Sequence, residues 1–147
     1  MPQPENVIEI SKLHKSYGDL QVLKGVSLTA RKGDVVSLIG SSGSGKSTLL
    51  RCVNLLEDSQ QGEILFNGEA VLWSAGKYNR MPADKQQVQK IRTNLSMVFQ
   101  QFNLWAHMTI LENVMEAPVT VLKRPRPEVE TSARRYLEQV GIGDKCD

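Results

Sequence analysis

A glycine-rich segment at residues 40–48 carries the clearest chemistry in the chain. It reads G-S-S-G-S-G-K-S-T and fits the pattern G-x-x-x-x-G-K-[ST] at every specified position. Glycines let the backbone curl with its N–H groups pointing inward, and such a concavity binds phosphate groups. Lys46 would place a positive charge beside the β and γ phosphates of a nucleotide, and the Ser47 hydroxyl could ligate Mg²⁺. These residue types at this spacing predict a phosphate-binding loop (P-loop).

The segments on either side of the loop match this chemistry. Residues 34–39 (D-V-V-S-L-I) are typical of a short strand, and residues 46–56 place apolar side chains at helical spacing. Strand, glycine loop and helix in this order are what the motif needs, and the helix dipole favours an anion. A glycine–serine linker with a chance lysine is the alternative, and the flanking segments argue against it. The predicted nucleotide-binding residues of the loop are Gly40, Ser41, Ser42, Gly43, Ser44, Gly45, Lys46, Ser47 and Thr48.

Composition and charge describe one ordinary domain. The chain has 147 residues, of which 40% are hydrophobic and 23% charged. A net charge of +2 without a basic stripe argues against a nucleic-acid partner. No apolar run approaches the roughly 20 residues that span a bilayer, and the N-terminus lacks a signal-peptide pattern. Cys52 and Cys146 have no metal-ligand spacing, and Cys52 is expected to be a small buried side chain. We therefore expect a reduced, cytosolic, soluble protein.

The regions before and after the loop predict antiparallel strands. Residues 6–13 and 21–30 read as two strands joined at Gly18-Asp19, which is typical of a hairpin. Residues 63–66 predict a further strand that ends at Asn67-Gly68, a strong hairpin-turn signal.

The middle of the chain predicts a loop, a helix and a strand. Residues 69–82 are expected to be irregular, and residues 84–92 predict a short surface helix capped by Asp84. Residues 95–99 (L-S-M-V-F) read as a compact apolar strand, followed by a loop over residues 100–108.

Two helices are predicted in the last third. Thr109 with Glu112 forms a capping-box pattern, and Pro118 should kink or end the helix that follows. Residues 123–127 (K-R-P-R-P) predict a hinge or turn, and residues 128–139 predict a last amphipathic helix that glycines stop.

The order of these segments resembles the ATP-binding subunits of ABC transporters. The matching segments are Tyr17, V-L-K-G-V-S-L at 22–28, the P-loop, G-E-I-L-F-N-G at 62–68 and M-V-F-Q-Q-F-N-L at 97–104. Residues 97–118 look most like the subgroup that serves bacterial importers of polar amino acids such as histidine, basic amino acids, glutamine or opines. The resemblance implies an α/β fold: a P-loop NTPase core with an N-terminal antiparallel β subdomain (1–102) and the start of a helical subdomain (103–147). Together these would be an incomplete ABC ATPase domain.

The resemblance also implies roles for residues outside the loop, with ATP and Mg²⁺ as the bound groups. Tyr17 matches the aromatic residue that stacks on adenine; without the family it would be read as a turn-flanking core residue. Val22 would border the ribose, although a plain strand residue is equally plausible. Gln100 matches the glutamine that contacts Mg²⁺ and the attacking water, and its amide oxygen suits a cation. His14 and His107 are expected to take no part.

The helical subdomain of the family docks on the transmembrane permease subunits, so the resemblance implies a peripheral protein on the cytoplasmic side of the plasma membrane. Apolar residues that could line the docking groove, with ordinary core packing as the alternative, are Phe102, Leu104, Trp105, Met108 and Met115.

The family hydrolyses ATP between two ATPase subunits, a homodimer or a related pair, and needs motifs that the 147 residues do not contain. There is no L-S-G-G-Q signature and no apolar tetrad followed by Asp-Glu. Lys46 and Gln100 would contribute to catalysis without completing it, so we expect nucleotide binding with negligible turnover, and exposed sheet edges.

Two other functions stay open on the sequence. One is a truncated, non-catalytic nucleotide-binding module. The other is a small P-loop kinase with an arginine-rich lid, for which the candidate residues are Arg124, Arg126, Arg134 and Arg135.

Overall fold

The computed structural model describes residues 5–74, 80–101 and 103–146 of the chain. The chain divides into two compact units, 1–97 and 98–147, and each unit has a hydrophobic core of its own. The sequence places the change of domain after residue 102, inside the second of these units, and that boundary stays a prediction.

Four strands of the first unit form an antiparallel sheet in the order β2-β1-β3-β4. β1 (Asn6–Tyr17) and β2 (Leu20–Arg31) form the first predicted hairpin, and β3 (Gln61–Phe66) pairs with the other side of β1. The Asn67-Gly68 turn leads into β4 (Glu69–Ala70) with φ angles of 49° and 77°, as a two-residue hairpin turn requires. Both predicted hairpin turns are confirmed.

Helix α1 (Lys46–Val53) packs on this sheet. It is shorter than the helix predicted over residues 46–56, because the chain leaves the helix at Asn54 and Leu55 takes a left-handed φ of 57°. Cys52 is fully buried, as its place in the helix predicts. The buried apolar residues of this core are Ile10, Leu13, Leu23, Leu49, Cys52, Val53, Leu55, Ile64, Val71 and Ile91.

A second, very small sheet follows β4. β5 (Trp73–Ser74) pairs with β6 (Met81–Pro82), so the expectation of irregular chain over residues 69–82 is wrong for β4, β5 and β6. Residues 75–79, which belong to the same predicted loop, lie outside the described ranges. Arg80 links the small sheet to the first. Its guanidinium lies 4.2 Å from the centre of the Trp73 ring, and it donates hydrogen bonds to the backbone oxygen of Gly62 in β3 and to the backbone O and the Oγ of Ser59.

Two helices begin at the N-caps that the sequence predicts. The Asp84 carboxylate accepts a hydrogen bond of 2.8 Å from the backbone N–H two residues later, at the start of α2 (Lys85–Asn94). At the start of α3 (Ile110–Thr120), the Glu112 N–H donates to Thr109 Oγ1 (3.2 Å) and the Thr109 N–H donates to the Glu112 carboxylate (2.9 Å). The capping box is therefore confirmed.

The second unit is a pair of packed helices. Pro118 lies inside α3 and does not end it, so of the two predicted effects only a kink stays a prediction. The Val121 N–H bonds to the Ala117 oxygen at 2.9 Å, past the proline. α4 (Arg126–Gln139) takes in the last two residues of the predicted turn at 123–127, and a single 3₁₀ turn (Gly143–Lys145) follows. The buried apolar residues of this core are Leu111, Met115, Val129, Ala133, Leu137 and Cys146.

Two predicted strands do not form. Residues 34–39 and 95–99 pair with no strand among the described residues, and Val35, Ile39 and Val98 are 94%, 95% and 96% exposed. A strand is stabilised by hydrogen bonds to a neighbour and by burial of its side chains, so an apolar run alone does not create one. Because neither segment belongs to a sheet, they do not test the expectation of exposed sheet edges, which stays a prediction.

None of the helices in the described ranges has the length and hydropathy needed to cross a bilayer.

The Cys52 thiol should make the stability of the first unit depend on pH. Burial raises its pKa from 9.0 to about 11, Lys15 lowers it, and Glu57 and Asp58 raise it. The folded chain therefore holds the proton more tightly than the unfolded chain, and this contribution to stability is complete below pH 9 and is lost as the pH rises towards 11.

We expect the free energy of unfolding to fall by up to about 3 kcal/mol more in the wild type than in Cys52→Ala between pH 8 and pH 11. Urea unfolding of both proteins across this range measures the difference. Parallel pH profiles for the two proteins would contradict the assignment.

Candidate nucleotide-binding site

The P-loop forms an exposed turn that leads directly into a helix. Gly43 and Gly45 have φ angles of 80° and 91°, in the left-handed region that favours glycine. Gly45 is the N-cap of α1, and its carbonyl accepts the Leu49 N–H at 2.8 Å. The first turn of α1 contains no acidic side chain, so nothing in that turn opposes an anion at the helix start. The exposed members of the loop are Gly40, Ser41, Ser42, Gly43, Ser44 and Ser47.

The Lys46 side chain folds back over this loop. Its ammonium donates to the backbone oxygens of Gly40 (2.8 Å) and Ser41 (2.6 Å) and to Ser44 Oγ (3.2 Å). Across the described ranges it forms no ion pair with a carboxylate. The charge is thus held by neutral acceptors, which an entering phosphate could replace with charge-assisted hydrogen bonds.

The loop lies against β2 through Gly45. A Cβ atom on this glycine would lie 3.0 Å from Val22 Cγ1, 3.2 Å from Leu23 Cδ2 and 3.3 Å from the Val22 oxygen. The register of the hairpin explains why Val22 reaches the loop: pairing passes from Lys15–Leu23 to Ser16–Gln21 and leaves Val22 as the extra residue of a β-bulge. A bulge bends the strand and redirects its side chain.

Tyr17 lies at the turn end of the same hairpin. It closes β1 opposite Leu20, and its side chain is 44% exposed. Val22 follows two residues further along β2, which corresponds to roughly 7 Å of strand. The structure thus places the predicted adenine-stacking residue and the P-loop contact on one short stretch of hairpin.

The two predicted Mg²⁺ residues lie in different units. Ser47 is exposed in the first turn of α1, and Thr48 beside it is half-buried. Gln100 is exposed and belongs to the second unit, so its role stays a prediction.

The residues predicted to line a docking groove fall into two groups. Met108 and Met115 line a cleft of about 300 Å³ in the second unit, although Met115 is buried and also belongs to the core. Leu104 and Trp105 are about half exposed. Phe102 lies outside the described residues.

Asn113 fixes the loop that carries Trp105. Its side-chain oxygen accepts the Trp105 N–H at 2.8 Å, and its NH₂ group donates to the backbone oxygens of Trp105, Met108 and Thr109 at 2.9 to 3.3 Å. The exposed tryptophan is therefore presented on an ordered loop.

The sequence patterns do not identify two residues of the site, Leu23 and Lys15. Leu23 contacts the P-loop glycine from a buried strand position, and nothing in its surroundings in the sequence distinguishes it from a core residue. Lys15 is buried and lies over the Tyr17 ring; its place two residues before an aromatic residue on the same strand is the signal that could have found it.

The close approach of Gly45 to β2 predicts a specific effect of added volume. In Gly45→Ala the new methyl group would have to fit a left-handed φ and also the close contacts with Val22 and Leu23. In Gly33→Ala the φ angle is also left-handed (89°), but the space around the new methyl group is open. We expect Gly45→Ala to lower the free energy of unfolding by at least about 1 kcal/mol more than Gly33→Ala.

Only Gly45→Ala should weaken the binding of inorganic tripolyphosphate, because only that substitution displaces the loop. Denaturant unfolding and calorimetric titration measure the two effects. Equal losses of stability and binding in the two variants would show that the contact with β2 is unimportant.

The chain is similar to known proteins along most of its length. A family profile described as ABC transporter matches residues 23–147. The histidine/lysine/arginine/ornithine transport ATP-binding protein HisP of Escherichia coli (strain K12) is 53% identical over 143 residues, which cover 97% of this chain and 56% of HisP. The nopaline permease ATP-binding protein P of Agrobacterium fabrum is 51% identical over 144 residues, covering 97% of this chain and 55% of that protein. The chain thus spans about half the length of the curated relatives it matches.

A solved structure supports the fold. CbiO1 of Clostridium perfringens, described as part of the ABC transporter complex CbiONQ, matches with a TM-score of 0.73 and 24% sequence identity over 97% of this chain and 53% of that one. The prediction of a partial ABC ATPase fold is confirmed, and the profile match favours the ABC transporter family over the small kinase that the sequence left open. The chain belongs to the ABC transporter family.

Proposed function

We propose that this chain is the N-terminal part of the ATP-binding subunit of an importer of polar amino acids. The relatives named above are HisP, for the transport of histidine, lysine, arginine and ornithine, and a nopaline permease subunit. In this proposal residues 40–48 hold the phosphates of ATP, Tyr17 stacks on the adenine and Val22 borders the ribose. The whole subunit couples ATP binding and hydrolysis to uptake.

Within the described ranges Lys46 has no carboxylate partner, and this observation carries the nucleotide-binding part of the proposal. Among the described residues this ammonium group is held by two carbonyls and a hydroxyl, in an exposed glycine loop at a helix start, and such a group suits a multiply charged anion. Electrostatic attraction to a triphosphate exceeds what neutral acceptors offer, so the lysine exchanges its loop contacts for phosphate oxygens on binding.

Ser47 and Gln100 are the residues assigned to Mg²⁺. Hydroxyl and amide oxygens suit this ion, which keeps waters and phosphate oxygens as most of its other ligands. Within the described ranges no group of three or more His, Cys, Asp or Glu side chains could hold a metal by itself, which fits an ion that arrives with the nucleotide. When bound, the ion would offset the negative charge of the phosphates.

The second unit is assigned to contact with the membrane subunits. Trp105 and Leu104 are exposed on the loop that Asn113 orders, and aromatic side chains are enriched in protein interfaces. These contacts would hold the subunit at the cytoplasmic side of the plasma membrane, where a second ATPase subunit would complete the site.

Lys46→Ala tests the proposed phosphate contact. Since the substitution removes a charge-assisted contact to the phosphates, we expect ATP to bind at least about tenfold more weakly. Lys85→Ala is the matched control, because Lys85 is the first residue of α2 as Lys46 is of α1. Titration calorimetry with Mg²⁺ and ATP gives the affinities. Unchanged binding in Lys46→Ala would refute the assignment of the P-loop.

Turnover is a separate prediction for the 147-residue chain. Attack by water needs a positioned proton acceptor and a completed set of charges around the phosphates. The chain has neither an L-S-G-G-Q segment nor an apolar tetrad followed by Asp-Glu, so we expect ATP to bind without release of phosphate above background. A phosphate-release assay at saturating ATP measures this. Release that Lys46→Ala abolishes would show that those motifs are dispensable.

A further inference from the structure

Lys15 is the most deeply buried charged side chain near the site, and the proposed function gives it no role. Its side chain is only 6% exposed. Lysine is rarely buried unless its charge has a partner. It lies two residues before Tyr17 on β1, so both side chains lie on the same face of the strand.

Three contacts surround the Lys15 ammonium. It donates to the Asp58 backbone oxygen at 2.7 Å and forms an ion pair with the Glu57 carboxylate at 3.0 Å. It also lies over the Tyr17 ring, 4.9 Å from the ring centre. An ammonium has three donors, so two can be held by the oxygens while the third side of the group meets the aromatic face.

The backbone on either side of Lys15 is fixed to the same loop. The Gln60 side chain accepts the Ser16 N–H at 2.9 Å and donates to the Ser16 oxygen at 3.0 Å, and the Gln60 N–H donates to the His14 oxygen at 2.9 Å. These hydrogen bonds connect the end of β1 to the loop whose residues hold the ammonium.

This loop also leads back to the P-loop. α1 starts at Lys46 and ends at Val53, and the two residues that hold Lys15 follow four and five positions later. One continuous segment thus connects the predicted phosphate site with Glu57 and Asp58, which hold Lys15 against the ring predicted to stack on adenine.

We propose that Lys15 is a positioning residue that holds the Tyr17 ring for stacking on the purine of a bound nucleotide. The buried ammonium occupies one face of the ring, while almost half of the side chain stays open to solvent. An exposed ring without such a contact would have to be ordered when the nucleotide binds, at a cost in affinity. The inference rests on the proposed function, because it needs Tyr17 to contact the base.

A purely structural role for Lys15 makes a different prediction. If the lysine only ties β1 to the loop, its removal should weaken every ligand of the site alike through lost stability. If it positions the ring, its removal should weaken ligands that carry a base and spare those that do not.

The test compares ATP with inorganic tripolyphosphate, which has the phosphates and no base. In Lys15→Met of the 147-residue chain we expect the affinity for ATP to fall about three- to thirtyfold. The affinity for tripolyphosphate should change by less than about twofold. Lys24→Met, on the exposed side of β2, is the control and should change neither. Equal losses for both ligands, or no loss for either, would overturn the proposal.

Tyr17→Leu separates this inference from the proposed function. If it leaves the ratio of ATP to tripolyphosphate affinity unchanged, then the adenine role of Tyr17 fails. If it lowers the ratio and Lys15→Met does not, only the role of Lys15 fails. In the double variant, Lys15→Met should add no further loss of the ratio, because it acts through the ring.

Glu57→Gln decides the question if Lys15→Met does not fold. It removes the carboxylate that holds the ammonium and leaves the lysine in place. A smaller fall in the same ratio supports the positioning role, and an unchanged ratio in a folded Glu57→Gln overturns it.

Discussion

The close approach of Gly45 to β2 is the contact on which the candidate site depends. The absence of a side chain at this position lets the start of α1 lie directly against Val22 and Leu23. Leu49 and Cys52 of α1 then reach the core that Leu13 and Ile64 form on the sheet. A larger residue would push the helix away from the sheet, so the position of the phosphate loop and the packing of the core are consequences of the same glycine.

The same sheet positions the residues that we propose for the two ends of a nucleotide. The bulge at Val22 turns β2 towards the P-loop, and the hairpin carries Tyr17 a short distance further along. The loop after α1 returns to β1, where Glu57 and Asp58 hold the Lys15 ammonium over the Tyr17 ring. Two residues of a strand span a short distance, and the paired backbone of a hairpin is rigid. The hairpin therefore fixes the separation of Tyr17 and Val22 more reliably than a free loop would.

Local features of this chain were predictable, and features that depend on distant residues were not. The Asn67-Gly68 turn, the Asp84 cap and the capping box at Thr109 follow from contacts within a few residues, and all are present. The strands predicted at 34–39 and 95–99 are wrong because a strand needs a neighbour that its own residues do not specify. The P-loop residues are visible in the sequence, whereas the bulge at Val22 depends on pairing between two strands and leaves no pattern.

The N-terminal and C-terminal sides of the P-loop are fixed to different degrees, and this difference affects the affinity for a ligand. On the C-terminal side, Gly45 is fixed by α1 and by β2. On the N-terminal side, residues 34–39 pair with no strand in the described ranges, and Val35 and Ile39 are almost fully exposed. Leu38 packs on the core, but the rest of this segment has neither ladder hydrogen bonds nor burial and opens at little cost. A ligand that binds here must therefore fix it, at about 1–2 kcal/mol per residue ordered. The Lys46 contacts to Gly40 and Ser41 draw the N-terminal side of the loop towards the helix, and a phosphate that takes over this ammonium must also take over the ordering of that side.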